Sequence, residues 1–109
     1  MKFKVNNYEV FASTGGRPFD KNKPLIIFVH GSGLTHMCWV LQTRSFAFHG
    51  YSVLALDLPG HGLSGGKSLT SIEQMADWLS DVIDTVGFNE ASLVAVSYTH
   101  LTLPTKRIV

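Results

Sequence analysis

Residues 24–34 read PLIIFVHGSGL. Leu25 to Val29 are apolar in an unbroken run rather than in alternation, so they are predicted to form a short strand buried on both faces. His30, Gly31, Ser32 and Gly33 follow at once. Glycines on both sides of a small polar residue, directly off a buried strand, make a loop that turns sharply and brings backbone close to a ligand. Such a loop can aim N–H groups at a developing negative charge, which is what an oxyanion hole requires.

Upstream, Phe3 and Val5 lead to Asn6-Asn7, and Tyr8, Val10 and Ala12 follow in alternation. Two strands joined by an Asn-Asn turn is the simplest reading, because asparagine tolerates the positive φ such turns need. Ser13 to Lys23, rich in Gly, Pro, Asp and Asn, is a loop.

Downstream, a helix is predicted between His36 and His49, with Trp39, Val40, Phe46 and Ala47 facing inward and Gly50 as its stop. Residues 51–56, YSVLAL, form a second buried strand, and 57–66, DLPGHGLSGG, a glycine-rich turn segment. The clearest helix is 71–86. Thr70 and Glu73 have capping-box spacing. Ile72, Met75, Ala76, Leu79, Ile83 and Val86 recur at helical spacing as one apolar stripe, and Gly87 closes it. Ala91 to Val94 begin a third buried strand. Strand, helix, strand, helix, strand at this spacing implies a parallel sheet with right-handed crossovers, so the fold class is α/β.

The bulk properties exclude several functions. At 109 residues and 45% hydrophobic, the chain is the size of one small domain. A net charge of +1 provides no field for nucleic acid or an anionic membrane. Cys38 is alone, so no internal disulfide forms, and nothing near it has metal-ligand spacing. The first ten residues lack the apolar core of a secretory signal, and no apolar run approaches the ~20 residues that span a bilayer. A cytoplasmic location is expected.

This order of elements, with its punctuation, resembles the α/β-hydrolase family over residues 3–94. The resemblance rests on VHGSG after the third strand, on Trp39, on GYSVLALDLPGHGLS, and on TSIEQMADWLSDVIDTVG before ASLV. It implies a hairpin followed by parallel β-α-β-α-β, the N-terminal part of a sheet that carries a nucleophile, an acid and a histidine in that chain order. By the resemblance, the Ser32 N–H is one oxyanion donor, and His30, Gly31, Gly33, Asp57, Gly60 and Gly62 are structural motif residues. His30 pins the loop by hydrogen bonds, and Asp57, which precedes the nucleophile's place, closes its own loop by accepting N–H bonds. His61 is read as structural, and Cys38 as no nucleophile. No metal or organic cofactor is implied.

After ASLV the family pattern is Gly-x-Ser-x-Gly, whereas residues 95–99 read AVSYT. Ser97 falls in the nucleophile's slot, but both glycine slots carry a Cβ, and Thr99 is β-branched where crowding is worst. Pro104 opposes the helix that should follow. VSYTHLTLPT resembles the translation of a transposon-end and sequencing adaptor used in library preparation. Residues 96–109 are therefore read as a non-native tail, and 1–95 as the N-terminal portion of the domain, cut before the nucleophile turn.

The implied parent hydrolyses a small carboxylic ester, or a related small-molecule substrate, through a covalent intermediate; the chain itself, lacking the triad, is expected to be inactive. Two alternatives stay open: a non-catalytic binding or interaction protein on the same frame, and, with aspartate as nucleophile, an epoxide or haloalkane hydrolase.

Overall fold

The computed structural model describes residues 1–31 and 34–95, together with the two-residue strand Arg107–Ile108. The first two strands, β1 (Lys2–Val5) and β2 (Tyr8–Ser13), pair antiparallel from Val5↔Tyr8 to Lys2↔Phe11. Asn6 and Asn7 turn the hairpin at φ 52° and 70°. Both central residues of such a two-residue turn take positive φ when its twist matches that of the strands. Val5, Val10 and Ala12 lie inward, while Tyr8 is exposed.

Next come β3 (Leu25–Val29), a 3-10 turn (His36–Trp39), α1 (Val40–Phe48), β4 (Ser52–Leu56), α2 (Ile72–Thr85), β5 (Glu90–Ala95) and β6 (Arg107–Ile108). The sheet order is β1-β2-β4-β3-β5-β6. β2 meets β4 antiparallel, whereas β3 runs parallel to β4 and to β5. Every residue of β3 and β4 is buried, as strands covered on both faces require. β6 pairs with β5 at Glu90↔Arg107 and Ala91↔Ile108.

The two helices cover opposite faces. Leu25, Ile27, Val29, Leu54 and Leu56 point toward Met75, Leu79, Val82 and Ile83 of α2. Ile26, Phe28, Val53 and Ala55 point the other way, toward Ala47 of α1, with Trp39, Phe46 and Tyr51 beside them. Phe28 is the hub of that face, its ring 5.4 Å from Trp39 and 5.6 Å from Phe46.

Three local expectations need correction. The helix predicted from 36 opens as a 3-10 turn, because the Thr35 hydroxyl accepts from Met37 N–H at 3.3 Å and tightens the entry. Val40 is 44% exposed rather than inward; Thr43 takes the buried position, donating its hydroxyl to the Val40 carbonyl at 3.2 Å. The capping box of α2 is shifted by one residue from Thr70 and Glu73. Ser71 is the N-cap, accepting from Gln74 N–H at 3.1 Å, while the Gln74 side-chain oxygen reaches back to Thr70 N–H at 2.8 Å.

Candidate functional site

The register brings three strand ends level. Val29 is the Cα partner of Leu56 on one side and of Ala95 on the other. The loops leaving β3 and β4 and the end of β5 thus meet at the middle of the sheet's carboxyl edge, where open α/β sheets place their ligands.

His30 is wholly buried at the exit of β3. Its Nε2 accepts the Leu58 N–H at 3.0 Å, so the ring proton sits on Nδ1, which donates to the Gly31 carbonyl at 2.7 Å. Burial lowers its pKa; the Gly31 bond and Asp57 oppose this, while the His61 and His36 rings add to it. The imidazole is therefore held neutral with both nitrogens engaged, which leaves no lone pair for a substrate proton. Gly31 also accepts the Leu34 N–H at 3.1 Å. Ser32 and Gly33 themselves, like the Ser97 slot, lie outside the described residues.

Asp57 is also wholly buried. One oxygen, Oδ1, takes the His36 backbone N–H at 2.7 Å and the His36 Nδ1 at 2.9 Å; Oδ2 takes the Leu63 N–H at 2.9 Å. Burial alone would push this carboxyl up, but the Leu63 and His36 N–H groups and the His36 ring outweigh it and hold the pKa below the usual range. Its own N–H donates to the Phe11 carbonyl at 2.9 Å. The Asp57 oxygens are thus turned onto its own loop and onto His36.

The loop it closes leaves little room. Gly62 sits at φ +50°, and a Cβ there would lie 2.3 Å from Asp57 Oδ2. A Cβ on Gly60, at φ +75°, would lie 2.8 Å from Ser68 Oγ. His61 occupies the turn between them, its N–H donating to the Leu58 carbonyl at 2.9 Å and its Nδ1 to the Pro59 carbonyl at 3.1 Å. Cys38 is exposed on the 3-10 turn, and partial desolvation pushes its thiol up, away from a reactive thiolate.

Two participants went unread in the sequence. Ser64 donates to the Asp57 carbonyl at 2.6 Å and accepts the Phe11 N–H at 2.9 Å, stapling the loop to β2. It ends the Asp-x-Pro-Gly-x-Gly-x-Ser pattern, so its place in the motif was a usable signal. His36 carried no such signal, because it reaches Asp57 across 21 residues and an intervening strand.

A model of the alpha/beta hydrolase family matches residues 26–99, most of the chain and every motif described above. The chain belongs to the alpha/beta hydrolase family. It is 31% identical over 78 residues to an (E)-2-((N-methylformamido)methylene)succinate hydrolase of Acinetobacter baylyi, covering 71% of this chain and 29% of that enzyme. It is 39% identical over 51 residues to a pimeloyl-[acyl-carrier protein] methyl ester esterase of Klebsiella pneumoniae, covering 47% of this chain and 20% of that one. Among solved structures, a CIB-like hydrolase from Thermoplasma acidophilum superposes with a TM-score of 0.77 at 24% identity, over 89% of this chain and 49% of that one, a likeness of fold. The α/β-hydrolase chain thus spans less than a third of these curated relatives.

Proposed function

We propose that the chain is the N-terminal part of a cytoplasmic enzyme that hydrolyses a small carboxylic ester or a related acyl substrate through a covalent intermediate. The observation that carries this reading is the level ending of β3, β4 and β5, with His30 at the exit of β3 bonded to Gly31 and to Leu58 after β4. A nucleophile on a turn after β5 would attack the carbonyl carbon; the Ser32 N–H, with a second donor, would stabilise the oxyanion; and a histidine-activated water would release the acyl group. His30 and Asp57 hold the cradle and do not react. The esterase among the relatives supports the acyl reading. Residues 96–109 are translated adaptor, and the 109-residue chain has no turnover of its own.

The test is the native DNA downstream of codon 94. A Gly-x-Ser-x-Gly turn is expected there; a native reading frame that continues through the present tail removes the adaptor account, and a complete gene with no nucleophile-bearing turn removes the hydrolase. In the complete enzyme, Ser32→Pro deletes the N–H donor, and kcat for p-nitrophenyl acetate should fall about 10²–10³-fold. An unchanged kcat would place the oxyanion site elsewhere.

A further inference from the structure

Between the edge hairpin and α2 lies a cavity of about 240 Å³. Its walls are Val5 and Val10 of the hairpin, Leu69, and Trp78 of α2. Val5, Val10 and Trp78 are buried, and Leu69 packs against the same core. The space exists because the segment that crosses it presents Pro59, Gly65 and Gly66, which carry little or no side chain to fill it. Gly66 also lets the Tyr8 ring close on the loop as a further wall, since a Cβ there would lie 3.2 Å from Tyr8 Cγ.

An apolar cavity of about 150 Å³ already admits benzene, whose atoms supply the contacts its walls otherwise lack. At about 240 Å³, this one has room for a ring with a short substituent. The mouth supplies the polarity. Lys67 lines the cavity and is exposed, so its aliphatic stem joins the wall while its ammonium stands in water. It forms no ion pair among the described residues. Two carboxylates of the same region are engaged by other donors: Glu9 pairs with Lys2 at 3.6 Å, and Asp81 accepts the Asn6 side-chain N–H at 3.2 Å. A lone cation beside an apolar cavity favours an anion with an apolar body over a neutral or cationic molecule.

We propose that this cavity binds a small carboxylate with an apolar body, of the arylacetate class, its ring between Val10 and Trp78 and its carboxylate at Lys67. The cavity is built by residues between 5 and 78, at the hairpin end of the sheet order. The inference is therefore independent of which nucleophile the complete chain carries.

The experiment uses the complete protein encoded by the native gene, with phenylacetate as probe and phenylacetamide as its neutral counterpart. In an NMR titration, the Val5 and Val10 methyls and the Trp78 indole should shift saturably, with a dissociation constant of about 1 mM or below. Phenylacetate should bind about three- to tenfold more tightly than the amide. Lys67→Gln, at an exposed position, should erase that preference and leave the affinity for the amide unchanged. Leu69→Trp, which puts an indole into the cavity, should abolish the shifts with both probes. No saturation by about 10 mM, equal affinities in the parent, a preference kept in K67Q, or shifts kept in L69W each overturn the proposal. Shifts confined to residues outside the cavity overturn it as well, because they place the probe elsewhere. Should L69W not fold, K67Q and the two probes still decide.

Discussion

His30 Nε2 accepts the Leu58 backbone N–H at 3.0 Å, so one imidazole joins the loop leaving β3 to the loop leaving β4. The two strands are parallel neighbours whose ends lie level at Val29 and Leu56. No backbone ladder continues beyond that point, and the side chain carries the contact one step further. Replacing it with Phe strands the buried Leu58 N–H, which is costly to leave unpaired, and removes one of the two bonds to the half-buried Gly31 carbonyl. His30→Phe should lower stability by about 2–4 kcal/mol in urea unfolding. A loss under about 0.5 kcal/mol would mean that water replaces both bonds.

Acid should act in two stages. The pKa of His30 is lowered by burial in the folded state, so below its ordinary value of about 6.5 the unfolded chain takes up a proton that the native one refuses. Stability from this group is full above that pH and is lost as pH falls toward the folded value, at up to about 1.4 kcal/mol per unit. The Asp57 pKa is lowered too, despite the opposing effect of burial, because the Leu63 and His36 donors favour the carboxylate. Its contribution is present above its ordinary value of about 3.9 and is lost as pH falls below that toward the folded pKa. Unfolding free energy should therefore decline below pH 6.5 and again below pH 4, and His30→Gln should abolish the first decline alone. A profile flat from pH 7 to pH 5 in the unmutated protein would contradict the first stage.

Gly62 and Gly50 separate two reasons for glycine. Both have positive φ, +50° and +94°, but a Cβ at Gly50 meets nothing within 4 Å, whereas one at Gly62 would press on the Asp57 carboxylate at 2.3 Å. Gly50→Ala should cost about 1–2 kcal/mol, from backbone strain alone. Gly62→Ala adds a collision with a buried carboxylate that is bonded on every side, and should cost about 4 kcal/mol or more. Equal losses in thermal or urea unfolding would show that the Asp57 loop yields freely.

The strands were legible because burial on both faces leaves a simple mark. LIIFV is apolar throughout and SVLAL is so after Ser52, and the hairpin betrayed itself through two adjacent asparagines, which the structure holds at positive φ. The loops of the site were visible as motifs, since glycines at 60 and 62 and the aspartate at 57 stand at fixed offsets within one segment. The pairing of His36 with Asp57 was not, because sequence spacing carries no information across an intervening strand. Val40 misled for a different reason. Apolar residues occur all round α1, at Leu41 and Phe48 outward as well as Ala47 inward, so periodicity could not choose its face.

The start of α2 tests how finely such signals can be read. Thr70 and Ser71 are both good caps, and Glu73 and Gln74 both suit the third helical position, so the pattern fits in either of two registers. The structure selects Ser71 with Gln74; the Ser71 backbone is extended at φ −142°, and its hydroxyl takes the Gln74 N–H. Thr70 contributes an N–H and a hydroxyl to the Gln74 side chain, both in exposed positions. Ser71→Ala should therefore cost about 1 kcal/mol, and Glu73→Ala only the few tenths due to a carboxylate near a helix N-terminus. Gln74→Ala should fall between, because it frees the Thr70 N–H to water rather than burying it. Urea unfolding of the three variants decides the register: a loss for Glu73→Ala as large as for Ser71→Ala would move the cap back to Thr70.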